Sequence, residues 1–373
     1  MDAVQFDHIA RRVFAGVSRR RVAAALGGLV LAPALGGASA SAKKKAKKKP
    51  YCLNGSTVKA SGKKAKKLKK QGATPGACCV PTCNGTSCGG ADGCGGTCGC
   101  NAGSACAAGT CAACTVTCTG TPIACGAALT LALADGGTII ACPGRYAGRF
   151  TVSTATTLIG AGSGDDPATS TILDGEKLGR TITVPAPSFT MSGVRVVGGK
   201  SSFPGGGLFG DPGTDLRISA CAFVGNEGSD AGAISARGKM ALRTSLFSGN
   251  TASGGGAIQF LLAPGPNVVA DCIIETNSAA IGGGLYLFGS PVTVTGTTIR
   301  TNTATMQGGG VYLYGGSSLT LDAATSITGN SAGQANGGGG IYSETSGGIN
   351  TLSQNFAKIS GNTPDQCQGV ICA

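Results

Sequence analysis

One four-residue pattern restricts the fold of this chain more than any other feature. A bulky apolar residue, two spacers and an asparagine recur as Phe223-Val-Gly-Asn226, Phe247-Ser-Gly-Asn250, Ile274-Glu-Thr-Asn277, Ile299-Arg-Thr-Asn302, Ile327-Thr-Gly-Asn330 and Ile359-Ser-Gly-Asn362. Successive asparagines are 24, 27, 25, 28 and 32 residues apart. A second feature keeps step with the first. An aliphatic residue (Ile234, Ile258, Leu285, Val311, Ile341) follows its asparagine by 8, 8, 8, 9 and 11 residues, after a run of small residues. A period between 20 and 50 residues is the signature of stacked repeats. Stretches such as Val292-Thr-Val-Thr and Leu319-Thr-Leu-Asp alternate β-branched or apolar residues with polar ones and are broken by Gly and Asn, so each unit reads as short strands with no room for a helix.

Short strands and glycine turns at a period of roughly 25 residues are best satisfied by one coil of a parallel β-helix, each coil bonding to the next about 4.8 Å along the axis. Equivalent residues then stack in columns. Asn226, Asn250, Asn277, Asn302, Asn330 and Asn362 are expected to form a structural ladder at a bend, their side-chain amides bonding one another and the turning backbone. The glycine runs Gly254–Gly256, Gly282–Gly284, Gly308–Gly310 and Gly337–Gly340 are expected at the opposite bend, where permissive dihedrals are needed. With 66 Gly, no Trp and no three-residue glycine period, the chain is ordered by repetition and is not collagen-like.

Before the repeats the composition changes three times. Residues 1–42 read as an export signal: Arg19-Arg20-Arg21 precedes a mild apolar run, Val22 to Leu35, and the small-x-small patterns Ala38-Ser-Ala40 and Ala40-Ser-Ala42. The run is too short to span a bilayer, so the mature chain is expected to have no transmembrane segment. Residues 43–70 carry thirteen Lys and no acid and read as a disordered tether, able to lie on an anionic envelope polymer. The remaining residues hold twelve basic and fifteen acidic groups, so the net charge of +13 belongs to the leader and tether; specific nucleic-acid binding is not expected of the body. Residues 71–119 are dense in cysteine, without histidine, and read as a loop-dominated module held by disulfides. From 120 to 373 the chain reads as the β-helix, its first coil lidded by a short helix over Pro122 to Leu133.

The leader resembles a twin-arginine export signal. The stretch Gly136-Gly-Thr-Ile-Ile…Pro143-Gly-Arg-Tyr146, followed by Ile172-Leu-Asp-Gly175, resembles the start of secreted proteins of the pectin-lyase-like superfamily. That resemblance implies an all-β, right-handed parallel β-helix and gives Asp174 a structural turn. Phe223-Val-Gly-Asn226, Phe247-Ser-Gly-Asn250 and Gly255-Gly-Ala-Ile258 are similar to the FxxN and GGAI repeats of polymorphic outer-membrane proteins.

Catalysis finds little support. The resembled enzymes work with clustered Asp, His, Arg or Lys, and the sole histidine here is His8, inside the leader. Asp165-Asp166 sits in a Gly-Ser-Gly-Asp-Asp-Pro turn. Arg237 and Lys239, with Glu227, Asp230 and Arg243, form the best charged cluster in neighbouring coils. No catalytic residue, cofactor or metal is expected. Cys221 and Cys272 lie two coils apart, about 10 Å, and are expected as free buried thiols, whereas Cys367 and Cys372 are expected to close the C-terminal end with a disulfide.

A ligand site is expected from parity. If Leu285, Leu287, Val311 and Leu313 face the core, then Tyr286, Phe288, Tyr312, Tyr314 and, one coil on, Tyr342 form an outward aromatic patch suited to sugar rings. The favoured function is an exported, monomeric, non-catalytic surface protein binding extracellular polysaccharide or an anionic envelope polymer. The rival is a polysaccharide lyase or glycoside hydrolase with a histidine-free site.

Overall fold

The computed structural model describes residues 49–53, 56–60, 64–67, 74–75, 104–107 and 110–372. The export signal expected over residues 1–42 lies outside the described residues, as does most of the cysteine-rich stretch. The chain divides into two units, residues 1–78 and 79–373.

In the first unit, Lys49–Leu53 pairs antiparallel with Ser56–Ala60, and Thr74–Pro75 adds a third short strand. The first two strands fall within the span, 43–70, expected as a disordered tether. The lysine clusters stop at Lys49 and resume at Lys63, and the stretch between them, with Lys59 as its one charge, contains Asn54-Gly55, the strongest short hairpin signal a sequence offers.

In the second unit, an antiparallel pair, Ser104–Ala107 with Thr110–Ala113, leads into three nine-stranded sheets. Every pairing within these three sheets is parallel, so each coil contributes one strand to each. The order along the chain is sheet C (Gly137–Ala141 onward), sheet A (Gly144–Ala147 onward) and sheet B (Phe150–Thr151 onward). The fold is therefore the all-β parallel β-helix that the repeats require. Its interior is a set of columns. Phe223, Phe247, Ile274, Ile299 and Ile327 line sheet A, while Ile234, Ile258, Leu285, Val311 and Ile341 line sheet B, all fully buried. Phe223 and Phe247 stack at 5.4 Å.

The first coil is covered as its open edge demands. Helix α1, Pro122–Asp135, starts with Thr121 accepting a bond from the Ala124 N–H and with Pro122 at its first position, and it ends at Gly136 with φ +75°. It buries Cys125, Leu129 and Leu133. Gly126 permits the close approach, since a Cβ there would sit on the Ala147 carbonyl. Residues 114–118, placed by the sequence in the preceding module, are stitched to the same coil. Val116 bridges Ala141, and disulfides join Cys114 to Cys142 and Cys118 to Cys125. At the other end Cys367 is bonded to Cys372. Among the described residues no helix is long and apolar enough to cross a membrane.

The corner between sheets A and B is the most constrained part of each coil. Nδ2 of Asn226, Asn250, Asn277, Asn302 and Asn330 donates to Oδ1 of the next asparagine at 2.9–3.1 Å, ending at Asn362. The same nitrogen donates to a carbonyl on sheet A one coil back, as from Asn277 to Phe247. Each Oδ1 also takes the backbone N–H of the preceding asparagine. Asn362 closes the ladder on Gln366 Oε1.

The glycine runs lie in this same connection, directly before sheet B, and not at the opposite bend as expected. Two requirements explain the location. Gly255, Gly282, Gly308 and Gly338 have φ between +52° and +68°. The following glycines, Gly256, Gly283 and Gly309, pack coil on coil so closely that a Cβ would meet the carbonyl of the next glycine in the column.

Candidate functional site

Sheet B alternates as parity demands. Leu285, Leu287, Val311, Leu313 and Ile341 are fully buried in the interior. The register lines up Ser235, Gln259, Tyr286, Tyr312, Tyr342 and Gln368 in one outward column, and Leu261, Phe288 and Tyr314 in a second. Glu344 continues the second column, its N–H donating to Leu313 O at 2.9 Å. Buried polar groups found partners: Ser235 Oγ donates to Gln259 Oε1 at 2.7 Å.

The rings contact one another along the axis. Tyr286 meets Tyr312 edge-on with centroids 5.4 Å apart, Tyr312 stacks on Tyr342 at 5.4 Å, and Phe288 tilts against Tyr314 at 5.0 Å. Tyr312 is only 6% exposed, hemmed in by the rings above and below. The ligand contact expected of Tyr312 therefore has no free ring face, and that residue acts as a stacking element. Tyr286, Phe288, Tyr314 and Tyr342 are half-buried.

Two margins turn this face into a trough. Between each asparagine and the glycine run, coils six to eight add a strand to a separate sheet of Ser278–Ile281, Thr303–Gln307 and Ser331–Ala332. The glycines that follow press against the aromatic column, Gly282 beside Tyr286 and Gly308 beside Tyr312. Gln307 of the same wall interacts with the Tyr342 hydroxyl. On the other side Gly347, in the loop after Glu344, lies against the Tyr314 ring.

The electrostatics of the trough are one-sided. No charged residue occurs in the corner segments or sheet B strands from Gly249 to Ser343. At the upper end stands Glu344, whose carboxyl is held below its usual range by N–H donation from Ser346, at 3.1 Å, together with further bonds from Ser346, Thr345 and Tyr312. It makes no ion pair among the described residues. Burial first, then the Glu344 charge, pushes the Tyr312 hydroxyl above the ordinary phenol range. Burial, the neighbouring Tyr314 and Asp230 do the same for Tyr286.

The charged cluster read from the sequence is dispersed. Lys239 and Arg243 bound a strand of sheet C, Arg237 lies between sheets B and C, and Glu227 and Asp230 belong to the corner after sheet A. Glu227 pairs with Lys200 at 3.0 Å. Asp166 accepts from the Ala168 N–H within its turn, and Asp174 pairs with Arg145 at 2.6 Å. Among the described residues, no group of three or more His, Cys, Asp or Glu could hold a metal. Cys221 and Cys272 are free, buried thiols, pushed up to about 12 by burial, which makes them poor nucleophiles.

Sequence reasoning overlooked Glu344, although a signal was there. Phe288 and Tyr314 each lie three residues after an inward aliphatic, and the same offset from Ile341 reaches Glu344.

With this geometry in hand, comparison with known proteins bears on the coils. A family model described as "Right handed beta helix region" matches residues 188–363, from the Ser188–Ser192 strand to just beyond the last asparagine of the ladder. Neither the curated proteins nor the solved structures contain a match.

Proposed function

We propose that this is an exported, non-catalytic β-helix protein that holds a polysaccharide in the trough on sheet B. The observation that carries this reading is the double outward column. Four half-exposed rings, Tyr286, Phe288, Tyr314 and Tyr342, occupy successive coils, beside hydroxyl and amide groups that bond sugar edges. Ring-and-hydroxyl surfaces of this kind suit pyranose faces. The disulfides near both ends support an oxidising compartment. The lysine-rich segment would add a salt-sensitive contact with anionic envelope polymer. The lyase or hydrolase reading loses its best residues with the dispersal of the charged cluster.

The test is retention of the purified protein by a panel of immobilised neutral, amino and uronate polysaccharides, with absorbance followed for unsaturated products. Tyr286→Ser combined with Tyr314→Ser should abolish retention, while the lost ring contacts lower the thermal midpoint by only about a few degrees. Retention that survives both substitutions, or release of unsaturated product by the wild-type chain, would overturn the proposal.

A further inference from the structure

The charge pattern of the trough narrows the ligand class. We infer that the site takes a glycan bearing a free amine, with Glu344 as the partner of its ammonium group. This rests on the binding role proposed above and goes beyond it.

Three observations carry the argument. The first is the absence of cations where an acidic polymer would need them. From Gly249 to Ser343 the corner and sheet B segments hold no Lys or Arg, and Arg237, in register below Leu261, is the nearest basic residue of the second column. A uronate laid along Phe288 and Tyr314 would bring its carboxylates to an uncharged surface ending in a carboxylate. Repulsion and desolvation would both oppose it.

The second is the state of Glu344. It follows Tyr314 in the outward column, faces the Tyr312 hydroxyl and, unlike the paired carboxylates Asp174, Asp215, Glu227 and Glu275, lacks a cationic partner among the described residues. Donation from Ser346 fixes the carboxylate and keeps it ionised. An ionised, positioned carboxylate at the end of an aromatic trough is complementary to an ammonium group.

The third is the acceptor set around it. An ammonium group carries three donors and no acceptor. The Glu344 oxygens and the phenol oxygens of the column are acceptors, and an aromatic face attracts a cation.

The experiment compares a glucosamine hexamer, its fully N-acetylated counterpart and a galacturonate hexamer by calorimetry with the full chain at about pH 5.5, where the glucosamine amine is protonated and Glu344 stays ionised. The glucosamine hexamer should bind about two- to fivefold more tightly than the N-acetylated one, and the galacturonate hexamer should bind more weakly than either. Glu344→Gln should remove the preference for the amine, so that the glucosamine and N-acetylated hexamers bind alike. That variant keeps an acceptor for Ser346, so the loop stays closed. Equal binding of the amine and N-acetyl forms, or an unchanged preference in Glu344→Gln, overturns the inference while leaving the polysaccharide role standing. Failure of all three hexamers to bind overturns both.

Discussion

The corner between sheets A and B and the outward face of sheet B lie a few residues apart in every coil, yet they obey opposite rules. At the corner the same residue recurs: asparagine in the ladder, glycine two places before sheet B. On the outward face the first column runs Ser235, Gln259, Tyr286, Tyr312, Tyr342, changing chemistry almost coil by coil. The difference follows from what each position touches. A ladder asparagine satisfies two backbone groups of the preceding coil and bonds the asparagine of the next, so any other side chain leaves buried polar groups unpaired. An outward residue of sheet B touches its column neighbours and the flanking segments or solvent, and its side chain is not required to hold the coils in register, so many side chains fit. In a solenoid, then, repetition marks what holds the coils together, and departure from repetition marks where specific chemistry can be placed.

The sharpest way to break this comparison is Asn277→Ala. The substitution removes the Oδ1 that accepts both the backbone N–H and Nδ2 of Asn250, and the Nδ2 that serves Phe247 O and Asn302. Two buried donors and a carbonyl lose partners, at about 1–3 kcal/mol each. A loss of about 4 kcal/mol is expected in urea unfolding. A change below about 0.5 kcal/mol would show that the ladder is decorative.

The interior can be probed by alkali as well. Cys221 and Cys272 rise from an ordinary value of 9.0 to about 12 because burial disfavours the thiolate. The unfolded chain ionises these thiols first, so their contribution to stability is complete below pH 9 and is lost progressively as pH climbs toward 12. Each thiol gives up about 1.4 kcal/mol per pH unit inside that window, so the pair should cost about 3 kcal/mol by one unit above 9. Replacing both by Ala should flatten the decline between pH 9 and 10, measured as the urea midpoint against pH. An equally steep decline in the double variant would place the alkaline sensitivity elsewhere.

Much of the corner was legible because its signals are one-residue requirements. Asparagine spacing gave the coil length, and the aliphatic that follows gave the parity of sheet B. What the sequence concealed was position around the coil. The glycine runs looked like a second bend because eight residues separate Asn250 from Ile258, enough for a strand and a turn; only the backbone shows that the interval is a single elaborated corner, with its own short strands from Ser278 onward. The charged cluster failed for a related reason. Glu227 and Lys239 are close in sequence, but half a coil puts them on different faces of the solenoid. Glu344 escaped notice because, at the offset from Ile341 that yields Phe288 and Tyr314 in earlier coils, the column changes from an aromatic ring to a carboxylate.

The smallest expected effect lies where the corner departs from its own rule. The residue before each ladder asparagine adopts positive φ: Gly225, Gly249, Gly329 and Gly361 at +64° to +68°, but Thr276 at +55° and Thr301 at +52°. A β-branched residue is strained in that region, at a cost on the order of 1–3 kcal/mol. The hydroxyls recover part of it, Thr276 Oγ1 donating to Glu275 O and Thr301 Oγ1 to Arg300 O, both at 2.7 Å and both exposed. These two coils are also joined by the Glu275–Arg300 ion pair at 2.7 Å, directly before the strained residues. Thr276→Gly should relieve the strain and lose two exposed bonds, to Glu275 O and to Ser248 Oγ, and glycine adds unfolded-chain entropy worth about 0.5–1 kcal/mol. The net expectation is a gain of about 0.5–1 kcal/mol, read as a higher urea midpoint, with the Asn277 ladder bonds intact. A loss of stability would mean that the threonine hydroxyl, and not the backbone conformation, dominates at this position, and the rule drawn from the glycine-bearing coils would then fail in coils six and seven.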